Sequence, residues 1–255
     1  MLSDTEIEYF VRDGFVLIEG GVPTALAEEC AELLWAAIDP VRDDPKTWRN
    51  PVEWVGGLTD EAFTAAANQP ALTEAFDQLV GAGRWRPRRG MGSFPIRFPH
   101  AVEPDDAGWH IEGSYESPRG PGYWTNVRSR DRVLLMLFLF SEVDEAQAPT
   151  RIRVGSHHDV PRVLAPYGEA GASAFTIGPL VDRASVERPT VLATGAPGDV
   201  YLCHPFLVHA AQPHHGGRPR LLGQPPLAPA EQLRLDRGDG DYSIVEATIR
   251  TALAS

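Results

Sequence analysis

The sequence has few cysteines, with Cys30 and Cys203 as the only two among 255 residues. Two thiols cannot form a disulfide framework, and neither belongs to a Cys-x-x-Cys pair of the kind that binds zinc or carries redox chemistry. Both lie in apolar surroundings, which is typical of small core residues in a reducing compartment. We therefore expect a cytoplasmic protein.

Long apolar runs and a positive net charge are also absent. The longest apolar run, Val133–Phe140, has eight residues, which is too short to span a bilayer. The N-terminus lacks the charged and apolar segments of a signal peptide. The formal net charge of −12 argues against binding nucleic acid and against docking on anionic membranes. We therefore expect a small-molecule partner, with no nucleic acid and no membrane, while the oligomeric state stays open.

Helix and strand signals divide the chain into three consecutive parts. Residues 1–84 carry helical spacing and form a helical support, whereas residues 85–227 consist of short apolar runs separated by Gly, Pro and Asp. Many short strands with turn signals between them are typical of a sandwich or barrel. Residues 228–255 end in a predicted helix, Tyr242–Leu253. No linker divides the chain, so we expect a single domain with a mainly β core and helices before and after it.

The individual elements follow from the same patterns. Ser3 is a good N-cap for a first helix that ends at Gly14, and the strand Phe15–Ile18 follows. Further helices are predicted at Thr24–Ile38, Asp60–Asn68 and Ala71–Gly81, with an irregular segment at Asp39–Gly57. The predicted strands of the core are Gly92–Phe98, Trp109–Tyr115, Arg132–Phe140, Arg151–Val154, Thr190–Ala193, Asp199–Leu202, Phe206–Ala210 and Arg220–Gln224.

The pair His110 and Glu112 is the first chemical signal. Residues i and i+2 of a strand point to the same face, so the two side chains can bind one metal ion while a distant strand supplies a third ligand. Two histidines and one carboxylate on one face leave the opposite positions open, which suits non-heme Fe(II) oxygenases. By itself, His-x-Glu also occurs by chance, as a strand-edge histidine beside a surface glutamate.

Two downstream histidines compete for the place of the third ligand. His204 precedes a proline, which favours an extended or turn conformation, whereas His209 follows an apolar strand and precedes a polar turn. Arg220 lies eleven residues after His209, at the distance of one predicted hairpin. Its planar guanidinium can clamp a carboxylate through two parallel hydrogen bonds, so a 2-oxo acid bound to the metal by its other end accounts for metal and arginine together.

Several other arginines have two interpretations each. Arg97 lies in an otherwise apolar segment, where an unpaired charge is costly, so it either serves the pocket by recognising an anion or balances nearby acids with the cluster Arg84–Arg89. Arg151 and Arg153 share one face of a strand. They either reach the pocket or form ion pairs, for which the candidate partners are Glu142, Asp144 and Glu145.

Three stretches of the sequence resemble phytanoyl-CoA dioxygenase-type Fe(II)/2-oxoglutarate oxygenases of bacteria: GWHIEGSY, LLMLFLFSEVDEAQAPTRIRVGSH and GDVYLCHPFLVHAAQPHHGGRPRLLGQPPL. They cover about residues 90 to 227. The resemblance implies a double-stranded β-helix core of the jelly-roll or cupin-like kind, with the helices packed outside. It also implies a reaction in which a C–H bond of a small molecule is hydroxylated or otherwise oxidised, with release of succinate and CO2.

The resemblance assigns roles to individual residues. His110 and His209 would be iron ligands, and Arg220 would anchor the C5-carboxylate of 2-oxoglutarate. Separately from the resemblance, Asn126 is a candidate contact of 2-oxoglutarate or substrate, because it lies on a predicted strand. Glu112 falls where the family usually has aspartate, so a carboxylate one methylene longer must reach the same metal position. Because this carboxylate is retained, the halogenase variant of the chemistry, which replaces it with a small residue, is disfavoured.

The implied cofactors are Fe(II), 2-oxoglutarate as cosubstrate, and O2. Two alternatives stay open: a cupin-like metalloenzyme that does not use 2-oxoglutarate, and a non-catalytic metabolite-binding jelly roll whose metal site is altered by Glu112. The substrate itself is not readable, since one fold hosts many functions. A CoA thioester, an amino acid, a terpenoid and a polyketide-type intermediate all remain open.

Overall fold

The structure, a computed structural model, describes residues 1–117 and 122–255. The α-helices of this part of the chain are α1 (Asp4–Asp13), α2 (Thr24–Ala36), α3 (Glu61–Ala67), α4 (Pro70–Val80), α5 (Val160–Leu164), α6 (Ala174–Ala184) and α7 (Ile244–Ala254). Short 3₁₀ turns occur at Pro45–Thr47, Ser156–His158 and Ala165–Tyr167.

The strands are short and pair antiparallel throughout the described sheets. They are β1 (Phe15–Ile18), β2 (Val52–Gly56), β3 (Ser93–Arg97), β4 (Tyr115–Glu116), β5 (Tyr123–Thr125), β6 (Leu134–Leu139), β7 (Thr150–Arg153), β8 (Ala172–Ser173), β9 (Thr190–Ala193), β10 (Val200–Cys203), β11 (His209–Ala210), β12 (Leu222–Gly223) and β13 (Pro226–Leu227). The main sheet has the order β1-β10-β6-β12, with β13 also on β6, and a second sheet has the order β11-β7-β9.

Strand β6 lies between two hydrophobic cores, which explains why each of its residues is buried. Its alternate residues from Leu134 to Phe138 face the larger core, which is shared with the helices. Its other residues, from Leu135 to Leu139, face a smaller core that includes Ile152 of the second sheet. Successive side chains of a strand point to opposite faces, so the continuous apolar run is what a sheet covered on both sides requires.

The first helix follows the local signals of the sequence. The Ser3 hydroxyl accepts a hydrogen bond from the Glu6 N–H, and the Glu6 carboxylate accepts one from the Ser3 N–H, which completes a capping box. Gly14 ends the helix in the left-handed conformation with φ of 89°. A Cβ atom at this position would lie 2.5 Å from Nδ1 of His157, so both the backbone conformation and the packing require glycine.

Three predictions about individual elements were wrong. The segment Asp39–Gly57, predicted to be irregular, contains strand β2. This strand forms because each of its residues pairs with a residue of β3. The part predicted to hold only strands also contains α5 and α6. The stretch Trp109–Tyr115 is not a continuous strand, since His110 forms a single isolated bridge and β4 begins at Tyr115.

The predicted fold class, antiparallel sheets in the middle of the chain with helices at both ends, is confirmed. The finer assignment to a double-stranded β-helix stays a prediction, and so does the division of a single domain at residues 84 and 227. The larger core joins all three parts, because it contains Phe10, Phe138 and Ile249. Among the described residues, no helix has both the length and the apolar character needed to cross a membrane.

Candidate active site

His110, Glu112 and His209 come together, and their potential ligand atoms all lie within 4.8 Å of one another. The Nε2 atom of His209 is 3.4 Å from Oε1 of Glu112, and the Nε2 atom of His110 is 3.8 Å from the same oxygen. Two imidazole nitrogens thus converge on one carboxylate oxygen. This donor set, two nitrogens and one carboxylate, suits a non-heme iron ion and leaves positions for further ligands.

A single antiparallel bridge sets the two histidines side by side. The backbone N–H of His110 donates to the carbonyl of His209, and the N–H of His209 donates to that of His110, both at 3.0 Å. His209 also opens β11, which pairs with β7 in the second sheet. The predicted pairing of distant strands at the metal site is therefore present, but one bridge replaces the predicted continuous strand.

In both His110 and His209, the Nδ1 atom forms a hydrogen bond with the backbone, which leaves Nε2 available to a metal. Nδ1 of His110 lies 2.8 Å from the carbonyl of Gly108, and Nδ1 of His209 lies 3.0 Å from the carbonyl of Leu207. A carbonyl can only accept, so each Nδ1 carries the proton, and the lone pair is on Nε2. A hydrogen bond to the outer nitrogen is also what fixes the ring of a metal-binding histidine.

The site is open on one side only. The side chains of His110 and Glu112 are 37% and 32% exposed, whereas that of His209 is 3% exposed. Burial alone would raise the pKa of Glu112, but the nearby imidazoles of His110 and His209 and the charge of Arg132 outweigh it and hold that pKa well below its usual range. Glu112 is therefore ionised at neutral pH, as a metal ligand must be.

The indole ring of Trp109, the residue directly before His110, contacts two guanidinium groups. The Arg153 group lies 4.2 Å from the indole centre and the Arg151 group 4.8 Å. Such cation–π contacts contribute about 0.5–2 kcal/mol each. Arg153 forms its ion pair with Asp182, at 2.7 Å, so the predicted acidic partners at 142–145 were wrong for this residue.

Arg151 ties the same loop to the second sheet. Its Nη2 atom donates at 2.7 Å to the carbonyl of Ala107 and at 2.7 Å to that of Ala211. Ala107 precedes His110 in the sequence, and Ala211 follows His209. The arginine therefore ties the segment that carries His110 to the segment that carries His209.

Arg97 and Arg220 form a second pair of facing residues, through a backbone bridge between them. They are 2% and 1% exposed. The guanidinium of Arg97 pairs with Asp106, whose charge also acts on His110. Burial, and then the charge of Arg97, hold the pKa of Arg220 well below its usual range. Two buried cations beside one carboxylate make a local excess of positive charge.

Several donors of this pair have no partner. The Arg220 guanidinium donates to the carbonyls of Ala148 and Pro95, but its Nε is unpaired among the described residues, as are Nε and Nη1 of Arg97. Leaving a buried donor unpaired costs about 1–3 kcal/mol, and more for a charged group. The pair is therefore suited to accept an anion.

The other predicted candidates lie elsewhere. The amide of Asn126 donates to the carbonyl of Glu169 at 3.1 Å and accepts from the N–H of Arg128 at 3.1 Å, so its contact with 2-oxoglutarate or substrate stays a prediction. His204, the competitor of His209, bonds to Thr248 of α7 at 3.0 Å and does not join the ligand cluster.

Sequence reasoning missed Arg132. Its Nη2 atom lies 3.9 Å from Oε2 of Glu112, and its side chain is 9% exposed. The available signal was the one that drew attention to Arg97, a charge placed against an apolar run. The contact with Glu112 itself depends on tertiary structure, because 19 residues separate Arg132 from Gly113, the neighbour of Glu112 to which it also donates.

One surface cleft has a volume of about 920 Å³. Its lining comes from α2, the segment 42–48 and the segment 217–221. None of the metal-ligand candidates is among its lining residues. Volume alone therefore does not identify the site, and the convergence of ligand atoms is the better guide.

The sheets, the helices and the two-histidine, one-carboxylate cluster define a class, that of metal-dependent oxygenases built on antiparallel sheets. A family model described as phytanoyl-CoA dioxygenase (PhyH) matches residues 10–222. The chain therefore belongs to the phytanoyl-CoA dioxygenase family, as the sequence predicted. A comparison with curated proteins finds no significant match.

Solved structures share the fold at low sequence identity. The epimerase SnoN, solved with Fe3+, alpha ketoglutarate and nogalamycin RO, is 17% identical, with a TM-score of 0.61 over 88% of this chain and 82% of its own. HygX from Streptomyces hygroscopicus, solved with nickel, 2-oxoglutarate and hygromycin B, is 15% identical, with a TM-score of 0.56 over 90% and 88%. EctD from S. alaskensis is 18% identical, with a TM-score of 0.56 over 89% and 76%.

Membership of the family confirms the predicted class of enzyme, a non-heme Fe(II)- and 2-oxoglutarate-dependent oxygenase. The donor set of His110, Glu112 and His209 fits the iron of that class.

Proposed function

We propose that the chain oxidises a C–H bond of a small organic molecule, with iron bound by His110, Glu112 and His209. The observation that carries the proposal is the convergence of two imidazole Nε2 atoms on one carboxylate oxygen, at 3.4 and 3.8 Å. The fixed Nδ1 tautomers and the ionised state of Glu112 support it, because a metal ligand must offer a lone pair.

We propose further that Arg220 anchors the distal carboxylate of 2-oxoglutarate, with Arg97 beside it. The unpaired donors of the two guanidiniums support this role, because an incoming carboxylate would satisfy them and balance the excess charge of the pair. Asp106 pairs with Arg97, and its charge also acts on His110. One carboxylate thus interacts with both the proposed anchor and a proposed metal ligand. Asn126 stays a proposed contact of 2-oxoglutarate or substrate.

The side chains do not carry the oxidising power themselves. Bound iron, with 2-oxoglutarate and O2, would supply it, and succinate and CO2 are the expected coproducts. The contribution of the protein is to hold three ligands on one face, to keep Glu112 ionised, and to fix the segment around His110 through the stacked Trp109.

The proposed substrate is a small molecule handled in the cytoplasm. Similar structures contain nogalamycin RO and hygromycin B, which supports an organic metabolite of that size class. SnoN is an epimerase, and a further similar structure, SnoK, is a carbocyclase. The proposal therefore does not restrict the outcome of the oxidation to hydroxylation.

The proposal is tested by anaerobic titration of the apoprotein with Fe(II) and then with 2-oxoglutarate. Chelation of the iron by the 2-oxo acid should produce a weak visible charge-transfer band, which is lost in His110→Ala. Iron binding without the band would favour a metalloenzyme that does not use 2-oxoglutarate. Failure to bind iron would favour a non-catalytic protein, and Glu112→Asp would then show whether the longer carboxylate disables the site.

A further inference from the structure

Arg132 lies beside the carboxylate ligand and has little else to bind. Its Nη2 atom is 3.9 Å from Oε2 of Glu112 and donates to the carbonyl of Gly113 at 3.3 Å. Its Nε and Nη1 atoms are buried and have no hydrogen-bond partner in the described part of the chain. A buried guanidinium is costly unless a carboxylate compensates its charge. Among the ion pairs of residues 1–117 and 122–255, Glu112 is the one carboxylate that Arg132 reaches.

The two oxygens of Glu112 face different partners. Oε1 faces both imidazoles, at 3.4 and 3.8 Å, whereas Oε2 faces the guanidinium of Arg132. One oxygen of the carboxylate therefore faces the two imidazoles, and the other lies 3.9 Å from a cation. The backbone next to it is also fixed, since a Cβ atom at Gly113 would lie 2.4 Å from Cβ of Tyr123.

We propose that Arg132 is a positioning residue that keeps Glu112 bound to iron through Oε1 alone. The inference rests on the proposed function, because it takes the three ligands to be those of an iron site. A carboxylate can bind a metal through one oxygen or through both. If Oε2 also bound, it would occupy one of the positions that the facial arrangement leaves open, and 2-oxoglutarate needs two of them.

A glutamate ligand needs this restraint more than an aspartate does. Its extra methylene adds a rotatable bond, so the carboxylate can turn both oxygens toward one point, and fixing that bond costs conformational entropy. Arg132 supplies the charge that selects one orientation.

The first test compares Arg132→Met with the wild type in the anaerobic titration. We expect Fe(II) affinity to change little, because the released Oε2 can itself bind the ion. The affinity of the iron-loaded protein for 2-oxoglutarate should fall roughly tenfold, which corresponds to about 1.4 kcal/mol. The reason is that Oε2, once released, competes with 2-oxoglutarate for iron. The readout is the charge-transfer band, which does not depend on turnover.

The second test asks whether the effect acts through Glu112. In a Glu112→Asp background the shorter carboxylate is withdrawn from Arg132, so Arg132→Met should change the 2-oxoglutarate affinity less than about threefold. Arg237→Met is the matched control, since Arg237 is also buried and pairs with a glutamate, Glu246, at 2.8 Å. It should leave the band and both affinities unchanged.

Two outcomes would overturn the role of Arg132: an unchanged 2-oxoglutarate affinity in Arg132→Met, or an equal loss in the wild-type and Glu112→Asp backgrounds. If Arg132→Met does not fold, Arg132→Lys decides, with a loss of about threefold expected only where Glu112 is retained. If the wild type itself gives no iron binding or no band, the proposed function fails. A wild-type band with an indifferent Arg132 variant rejects only the positioning role.

Discussion

The Nε2 atom of His209 lies 3.4 Å from Oε1 of Glu112, although 97 residues separate the two in the sequence. The three proposed ligands come from two segments, which meet through one pair of backbone hydrogen bonds between His110 and His209. Two backbone hydrogen bonds alone do not fix the position of one segment relative to the other. The geometry of the site therefore depends on the side chains that hold the two segments together.

The choice between the two candidate histidines can be tested directly. His209→Ala should lower Fe(II) affinity by more than the roughly 100-fold that loss of an outer partner can cause, because a ligand itself is lost. His204→Gln should retain iron binding, since His204 packs against α7. Anaerobic Fe(II) titration measures both. Iron binding retained in His209→Ala and lost in His204→Gln would contradict the assignment.

Arg220→Met should weaken 2-oxoglutarate binding without weakening iron binding. A hydrogen bond to a charged group contributes about 1.5–3 kcal/mol, so we expect a loss of roughly tenfold to a hundredfold in 2-oxoglutarate affinity. Arg97→Met should cause a smaller loss, because its guanidinium is already paired with Asp106. Arg218→Met is the control, since Arg218 is exposed and pairs with Glu142. Equal 2-oxoglutarate affinity in all three variants would reject the anchor.

Trp109→Leu should weaken iron binding although Trp109 is not a ligand. The substitution removes the aromatic ring that contacts both Arg151 and Arg153, so about 1–4 kcal/mol of contact energy that fixes the His110 segment is lost. We expect Fe(II) affinity to fall roughly tenfold. Trp54→Leu is the matched control, because Trp54 is 62% exposed. If the two variants bind iron equally well, the stacked tryptophan has no part in shaping the site.

The stability of the fold should fall in mild acid because of His204. Burial, and then the charge of His158, lower the pKa of His204 from 6.5 to about 3. In the unfolded chain the ring binds a proton near pH 6.5, whereas in the folded chain it does not, so the unfolded state is favoured as the pH falls between these values. We expect a loss of roughly 1 kcal/mol per pH unit below about pH 6.

His204→Gln isolates that contribution, because glutamine does not titrate. Urea unfolding at about pH 7, 6 and 5 should show a shallower pH dependence in the variant than in the wild type. The remaining slope includes His157, whose pKa burial also lowers well below its usual range. Parallel curves for the two proteins would show that His204 is not the source of the acid sensitivity.

Local signals in the sequence were sufficient for part of the fold. The cap at Ser3 and the left-handed Gly14 define α1, because both act within one helical turn. The strand β2 could not be found in this way, since its pairing with β3 is non-local. Helix α6 was missed because Pro179 lies inside it, and a proline normally argues against a helix.

The residues of the candidate site also differ in whether local sequence signals were sufficient to find them. The spacing of His110 and Glu112 and the resemblance to a family were enough to propose the metal ligands, which the structure brings together. Arg132 could not be found, because nothing in its sequence neighbours indicates that it faces Glu112. A charged residue that acts through a tertiary contact gives only a weak signal in the sequence. That signal is its position beside an apolar run, where burying an unpaired charge costs free energy.

The pairing of β1 with β10 also bears on how the chain folds. Phe15 pairs with Cys203 in this register, so the first strand to be synthesised has no partner until most of the chain has been made. Sheets that depend on such distant contacts fold slowly, and their open edges are exposed to aggregation while they wait. His209 follows β10, so the proposed metal site likewise cannot form before the segment that carries β11 has been made. Iron would thus bind only once these distant parts of the chain have met.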